Sequence, residues 1–256
     1  MAVELFNNGK HTCLAFYDLV DEEHDHAVQC NQFMIADSGH GALIDPGGNL
    51  TYNALLMAMQ RYFPSKELVW LLASHPDPDI IASVNKWFVA SPCKVLISKL
   101  WTRFVPHFTT GRDIQGRIGG IPDEGMDIPL GASKIKAIPA HFMHAEGNFQ
   151  FYDPISKILF SGDLGVSLVD HDVAADPVVD FDAHLPLMEP FHRRYMVSNK
   201  ILRFWAHMAR QMDIEMIVPQ HGKRFVGKAM CARFIDWIEK VPCGIDLMTQ
   251  DNYRVP

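Results

Sequence analysis

Short apolar segments separated by polar turns recur along the chain, and their lengths predict strands. Residues 31–36 and 41–44 are apolar runs on either side of a polar turn, which is typical of a β-hairpin. Residues 67–73 form a continuous apolar run, which favours a strand buried on both faces. The same criteria predict further strands at residues 94–98, 134–140, 148–152, 157–161 and 214–218.

Between these strands, apolar positions spaced three and four residues apart predict helices. In residues 51–63 the apolar stripe contains Leu55, Met59 and Phe63, and Pro64 ends it. Further helices are predicted at residues 79–89, 100–108, 199–212 and 230–239. Because strands and helices are interleaved, we expect an α/β fold (α+β in its mixed sheets). No shift in composition marks a boundary, which predicts one domain over residues 1–256.

The composition excludes several classes of partner. Hydrophobic residues make up 48% of the 256 residues, which is enough for a sizeable core. The 23 Lys and Arg residues against 30 Asp and Glu give a net charge of −7 with no basic run. A nucleic acid or an anionic membrane surface is therefore not an expected partner. The longest apolar stretch, residues 68–73, is far too short to cross a membrane.

The cysteines and the first residues of the chain predict its compartment. There are 5 cysteines, an odd number, and no pair has C-x-x-C spacing. Residues 1–8 lack the basic and apolar regions of a signal peptide. Both observations predict reduced thiols and a cytoplasmic protein.

Histidine is abundant, with 13 residues, and it is the commonest metal ligand. Histidines and aspartates follow four of the predicted strands, and α/β folds gather such loops on one rim. The residues at these strand ends are His75, Asp77, Asp79, His144, Asp163 and His221. Each has an ordinary alternative, since Asp-Pro is a common turn and Gly-Asp commonly begins a helix. Their coincidence at four strand ends predicts a metal site.

The segment that starts at His75 has the strongest local pattern. Its residues are His75-Pro76-Asp77-Pro78-Asp79, with prolines in alternate positions. Proline biases the residue before it towards extended backbone, and an extended run projects alternate side chains to the same side. We therefore expect the three metal-ligand side chains of this segment to face one site.

The order of these residues resembles the metallo-β-lactamase superfamily. The pattern is an H-x-D-x-D segment, a distant His, an Asp after an apolar strand, and a His-Gly pair at His221. The element Ile44-Asp45-Pro46-Gly47-Gly48 is similar to that superfamily's I-D-x-G element. The resemblance covers nearly the whole chain, and it implies an αββα sandwich with a binuclear metal site at one edge.

Within that superfamily the chain is most similar to flavodiiron proteins, and especially to single-domain oxygen-binding diiron proteins. Most hydrolases of the superfamily carry a His where this chain has Asp77, whereas flavodiiron proteins carry a carboxylate there. Residues 139–149 and 191–196 also resemble those proteins. The resemblance implies that one iron binds His75, Asp77 and His144, that the other binds Asp79 and His221, and that Asp163 bridges them.

The donor types are consistent with this assignment. Three imidazoles and three carboxylates without a thiolate suit iron or manganese better than a cysteine-rich zinc site would. Zinc binds the same groups, so the sequence leaves the metal open.

One position departs from the family pattern. The family's last ligand in the first motif is His, and this chain has Ile80, which cannot bind a metal. Candidates for replacing it are His141, Glu146 and His26. The spacing of 19 positions from His144 to Asp163 favours His144 over His141 as the ligand. Tyr195 is a candidate for the pocket wall, and Ile80 itself is expected to form a dry wall beside the second metal.

The resemblance implies O₂ or NO chemistry at a non-haem diiron centre. No flavodoxin-like region or phosphate-binding Gly-rich loop remains, so we expect no FMN in this chain. This favours an oxygen or redox sensor that holds a diiron–oxygen species and signals to a partner such as a chemoreceptor. An O₂ or NO reductase fed by an external flavoprotein or rubredoxin, and a metal-dependent hydrolase, are the alternatives. Relatives form dimers, which implies a homodimer.

Overall fold

Two β-sheets stack face to face, and helices cover the outer face of each. The computed structural model describes residues 1–20, 27–110 and 114–256. Strands with apolar residues at successive positions bury both faces of a sheet, so each sheet needs a cover on both sides. The resulting four layers are helices, sheet, sheet and helices, which is the expected αββα arrangement.

The first sheet contains seven strands in chain order. The first four strands pair antiparallel, and the last three continue the sheet in parallel. The strands are β1 Ala2–Asn7, β2 His11–Phe16, β3 Gln32–Asp37, β4 His40–Ile44, β5 Leu68–Leu72, β6 Lys94–Ser98 and β7 Ile118–Ile121.

The second sheet contains six strands in the order β13-β12-β11-β10-β9-β8. All of its pairs are antiparallel except β11 with β12, which is parallel. The strands are β8 Met126–Leu130, β9 Ser133–Pro139, β10 Phe149–Asp153, β11 Ile158–Phe160, β12 Met216–Val218 and β13 Phe225–Val226.

The helices follow the strands that they cover. Three lie over the first sheet and three over the second, as the apolar clusters that they share with each sheet show. Their bounds are α1 Tyr52–Met59, α2 Pro78–Ile81, α3 Val84–Ala90, α4 Phe181–Tyr195, α5 Asn199–Ala209 and α6 Lys228–Ile238.

Three hydrophobic clusters form the core, one in each space between layers. Alternate residues of a strand point to opposite faces. In β3, Phe33 and Ile35 therefore enter the cluster between the sheets, whereas Met34 enters the cluster beneath α1 to α3. In β10, Phe151 enters the cluster between the sheets and Tyr152 the cluster beneath α4 to α6.

A buried polar contact also joins the two sheets. His11 of β2 lies between two carboxylates, with Nδ1 3.0 Å from Oδ1 of Asp37 and Nε2 2.8 Å from Oδ2 of Asp153. We call His11, Asp37 and Asp153 the inter-sheet triad. Asp37 also accepts a hydrogen bond from the Ala132 backbone N–H at 2.6 Å, in the turn between β8 and β9. Gly131 in that turn has φ +57°, and a Cβ there would collide with the Asp37 carbonyl.

The predicted fold class and the hairpin of β3 and β4 are confirmed. One predicted helix is divided in two, and another is wrong. The helix predicted at residues 79–89 is broken at Ser83, whose hydroxyl donates to the Gly47 carbonyl at 2.6 Å and separates α2 from α3. The helix predicted at residues 100–108 is a turn followed by a 3₁₀ segment, Val105–Phe108. Strand β5 is less buried than expected, since Val69 and Trp70 are partly exposed.

No helix of residues 1–20, 27–110 and 114–256 combines the length and apolar character that crossing a membrane requires.

Candidate metal centre

The six strand-end residues meet at one edge of the sandwich. His75, Asp77 and Asp79 follow β5, and His144 lies in the loop between β9 and β10. Asp163 follows β11, and His221 follows β12. Because β11 and β12 are parallel neighbours, their carboxyl ends bring these last two residues together.

Three of these side chains form one compact donor group. Asp77 Oδ2 lies 3.5 Å from Nε2 of His75 and 3.5 Å from Nε2 of His144. The two imidazole rings meet edge to face, with their centroids 4.9 Å apart. One donor atom from each of the three side chains lies within 4.8 Å of the others, which is close enough to bind one ion.

The backbone after His75 differs from the expected extended run. It enters α2 at Pro78, because the fixed φ of proline suits the first position of a helix. Asp77 is the N-cap residue, but its carboxylate makes no capping hydrogen bond and faces the two histidines instead. Asp79 lies in the first turn of α2 and faces a different partner.

That partner is His221, which forms the second donor group with Asp79. His221 Nε2 lies 3.3 Å from Oδ2 of Asp79. Its Nδ1 donates to the Gln29 carbonyl at 2.6 Å, which leaves the Nε2 lone pair free for a metal.

Asp163 lies between the two donor groups. Its Oδ2 is 2.9 Å from Nε2 of His144 and 3.6 Å from Nε2 of His75. Its Oδ1 faces the other way, 3.6 Å from Nε2 of His221, and makes no hydrogen bond with any described residue. A buried carboxylate oxygen without a hydrogen-bond partner is costly, and a bound cation would satisfy it. The donor set and this orphaned oxygen fit a pair of metal ions bridged by Asp163.

The close pairing of histidines and carboxylates shifts the pKa values of the donors. Burial disfavours charged imidazole, but the carboxylates of Asp163 and Asp77 raise the pKa of His144 to about 10. Burial likewise opposes charge on His221, and Asp79 and Asp163 raise its pKa to about 9. Burial raises the pKa of a carboxyl group, yet the neighbouring histidines lower that of Asp163 to about 2. Metal binding at these atoms therefore releases protons from the histidines.

Neighbouring residues form hydrogen bonds with the candidate donors. The Ser74 hydroxyl lies 2.9 Å from Nδ1 of His75, and the Gln220 amide donates to Oδ2 of Asp79 at 3.3 Å. Asp45 accepts from the Ser74 N–H at 2.9 Å, and burial raises its pKa to about 6. Ser74 and Gln220 were not predicted from the sequence, although each directly precedes a candidate histidine. No sequence signal pointed to the Gln29 carbonyl.

A cavity of about 840 Å³ opens beside the donors. Its polar wall includes five of the six predicted ligands, and the rest of its wall is mostly apolar. Tyr195 lines it, stacked on Phe191 at 4.5 Å and 5.8 Å from the His144 ring. Arg194, Leu50, Val166 and Leu168 also line it, and sequence reasoning missed these residues.

The other candidates lie elsewhere. Ile80 is fully buried in the cluster beneath α1 to α3 and does not line the cavity, so the expected dry wall at this residue is wrong. His141 Nε2 binds the Asp123 carbonyl at 2.8 Å, which directs the ring away from the donors. Glu146 is exposed. His26 lies outside the described residues.

Comparison with known families gives one match over most of the chain. The sequence profile described as "ODP family beta lactamase" matches residues 28–222. The chain is also 23% identical over 198 residues to an uncharacterized protein of Methanocaldococcus jannaschii. That match covers 75% of this chain and 48% of the relative, so the chain spans about half the length of the curated relative it matches.

Solved structures resemble the whole chain. A structure described as a peroxy diiron species of chemotaxis sensor ODP is 37% identical, with 99% of both chains covered and a TM-score of 0.86. The apo state of chemotaxis sensor ODP from T. denticola is 36% identical, with the same coverage and a TM-score of 0.84. A flavo di-iron protein variant from Thermotoga maritima is 18% identical over 93% of this chain and 60% of its own, with a TM-score of 0.75, a likeness of fold.

Proposed function

The chain belongs to the ODP family of beta-lactamase-like proteins, and we propose that it binds O₂ at a non-haem diiron centre and signals its presence to a partner. The observation that carries this proposal is the position of Asp163. Its two carboxylate oxygens face separate donor groups, as a ligand shared by two ions requires.

The proposed ligands of the first iron are His75, Asp77 and His144. Those of the second are Asp79 and His221, with Asp163 shared between the two. Bound at these residues, a pair of ferrous ions would supply two electrons to O₂. The chain would hold such a pair between the two donor groups, beside a cavity whose wall is mostly apolar.

The second ion has fewer protein donors than the first. Ile80 occupies the position of a ligand in the flavodiiron pattern, and its side chain is buried in the core. Among the described residues, only Asp79, His221 and Asp163 group around the second position. An ion with few protein ligands keeps positions open to small exogenous ligands, which favours binding of O₂ or NO there.

The signalling role rests on the two solved structures described as chemotaxis sensors, at 37% and 36% identity. We propose a chemoreceptor as the partner. A cytoplasmic location agrees with the five cysteines, which are all buried and unpaired. A homodimer stays a prediction from the resemblance.

The test combines metal analysis with optical spectroscopy. Protein produced with ample iron should contain up to two irons per chain. The anaerobic ferrous form should gain a new visible absorption band on mixing with O₂, and the band should persist for longer than the mixing time. The matched control is the same chain loaded with zinc, which has no redox chemistry and should show no band.

Two outcomes would replace the proposal. Zinc as the sole metal, with no spectral change after iron loading, would favour a metal-dependent hydrolase. Rapid and repeated O₂ or NO consumption with an added rubredoxin or flavoprotein would favour a reductase.

A further inference from the structure

His192 of α4 is a buried histidine with two hydrogen-bond partners, and the proposed function does not use it. Its side chain is completely shielded from solvent. Nδ1 lies 2.8 Å from the Met188 carbonyl, one turn earlier in the same helix. Nε2 accepts a hydrogen bond from the backbone N–H of Gly165 at 2.9 Å. The rings of Trp237 and Phe234 pack edge-on against it, with centroids at 5.1 and 6.5 Å.

These partners define the state of the ring. The Met188 carbonyl can only accept, so Nδ1 must carry the hydrogen. The Gly165 N–H can only donate, so Nε2 must present its lone pair. A protonated ring would lose the second bond, and burial lowers the pKa of His192 to about 4, which keeps the ring neutral.

Gly165 belongs to the turn that carries Asp163. The turn is closed by bonds from the Leu164 N–H to the Ser161 carbonyl at 3.2 Å and from the Val166 N–H to the Asp163 carbonyl at 3.3 Å. Gly165 has φ +100°, a conformation that other residues rarely adopt. Backbone hydrogen bonds therefore stabilise the turn, and the hydrogen bond from Gly165 to His192 attaches the turn to α4.

We propose that His192 is a positioning residue for the metal centre, because its Nε2 lone pair holds the Gly165 N–H and so orients the carboxylate of Asp163 between the two donor groups. The inference rests on the proposed role of Asp163 as a shared ligand. It adds a connection between that carboxylate and α4, the helix whose Phe191 and Tyr195 line the cavity.

Two substitutions separate this role from core packing. His192→Asn keeps a polar group near the Met188 carbonyl but is too short to reach the Gly165 N–H. His192→Gln places its amide oxygen close to the former position of Nε2, within reach of that N–H. Both remove the aromatic ring, so both lose the same packing against Trp237.

The experiment titrates the metal-free variants with Zn²⁺ and Co²⁺ against a competing chelator. We expect His192→Asn to bind about 10- to 100-fold more weakly than the wild type, as is typical for loss of a ligand-orienting hydrogen bond. His192→Gln should recover most of the affinity, and its visible Co²⁺ spectrum should match the wild type. Equal affinities of the two variants, whether both normal or both weak, would overturn the proposal.

A second measurement does not depend on the variants folding. In the zinc-loaded wild type, ¹⁵N shifts of the His192 ring should show Nδ1 protonated and Nε2 unprotonated from pH 5 to 8. A protonated Nε2 would overturn the proposal. These tests use zinc and cobalt without O₂, so failure of the iron and oxygen proposal leaves them valid. Absence of metal binding by the wild type would instead reject the proposed function, and this inference with it.

Discussion

The protein has two clusters of histidine and aspartate, and their polar atoms differ in whether each has a hydrogen-bond partner within the protein. In the inter-sheet triad, both ring nitrogens of His11 have a carboxylate partner, and Asp153 also accepts from the backbone N–H of Ser156 at 3.0 Å. None of the triad's polar atoms lacks a partner. At the metal centre, Asp163 Oδ1 has no hydrogen bond with any described residue, and the donors border a cavity.

The difference shows that residue type does not by itself make a metal site. Cys13 lies 3.5 Å from Asp153, so the triad region also contains a His, a Cys and an Asp within reach of one ion. There the protonated His11 ring donates one N–H to each of the two carboxylates. At the candidate metal centre the buried Asp163 Oδ1 has no hydrogen-bond partner among the described residues, and a bound cation would satisfy it.

The largest expected effect comes from removing the shared ligand. Asp163→Ala should reduce the iron content from up to two per chain to background, because this side chain faces both donor groups. The loss of affinity should exceed the roughly 10- to 100-fold cost of an outer-shell change. Metal analysis after dialysis checks this. His141→Ala is the control and should keep its metal, since His141 Nε2 binds the Asp123 carbonyl. The assignment of this loop is wrong if His141→Ala loses metal and His144→Ala keeps it.

Removing a carboxylate from the inter-sheet triad should lower the unfolding free energy and leave metal affinity unchanged. Asp153→Asn leaves the His11 ring with one charged partner, and breaking a buried pair from one side costs about 3–5 kcal/mol. Urea denaturation of the metal-free protein measures this loss. Zinc affinity should match the wild type, because Asp153 contacts none of the proposed ligands. A fall in zinc affinity would contradict the separation of the two clusters.

The triad should also make the unfolding free energy depend on pH, in a direction that the pKa of His11 predicts. Burial opposes charge on His11, but Asp153 and Asp37 raise its pKa above 6.5. The folded protein therefore keeps this proton at pH values where the unfolded chain has lost it. The stabilisation is fully present below pH 6.5 and falls by up to about 1.4 kcal/mol per pH unit until the folded-state pKa is passed.

The measurement is the difference in unfolding free energy between the wild type and His11→Gln from pH 6 to 9, both metal-free. Taking the difference cancels titration at the other histidines. A difference that stays constant over this range would show that folding does not change the pKa of His11, and would contradict stabilisation of its charged form by the two carboxylates.

The smallest expected effect concerns Ile80. Its side chain lies in the cluster beneath α1 to α3, so Ile80→Val should cost about 1 kcal/mol through loss of one buried methylene. Iron content and the spectral response to O₂ should not change. A changed response without a change in stability would instead place this side chain beside the metal.

Much of the fold follows from local patterns in the sequence. Continuous apolar runs predicted β5 and β6, and polar residues after strands predicted the six donors that the structure brings together. Helix α4 was not predicted, because Pro186 and Pro190 lie inside it and argue against a helix. The hairpin of β1 and β2 was also missed, although Asn8-Gly9 between them is a recognised turn signal.

The remaining features depend on contacts between distant residues. His11 is 26 positions from Asp37 and 142 from Asp153, so no local pattern shows that it joins the sheets. The Gln29 carbonyl that orients His221 is 192 positions away. Such partners depend on how the two sheets pack, and a single sequence does not show that packing.

The burial of the five cysteines has a consequence for durability in air. The thiolate is the form that oxidants attack, and burial raises the pKa of Cys30, Cys231 and Cys243 to about 12. Cys30 is part of the cavity wall, yet it is 2% exposed and accepts a hydrogen bond from the Gln32 amide at 2.9 Å. At neutral pH almost none of the Cys30 thiol is ionised. Reactive oxygen species formed beside the donors would therefore meet few ionised thiols. Repeated exposure to air should leave the number of free sulfhydryl groups unchanged.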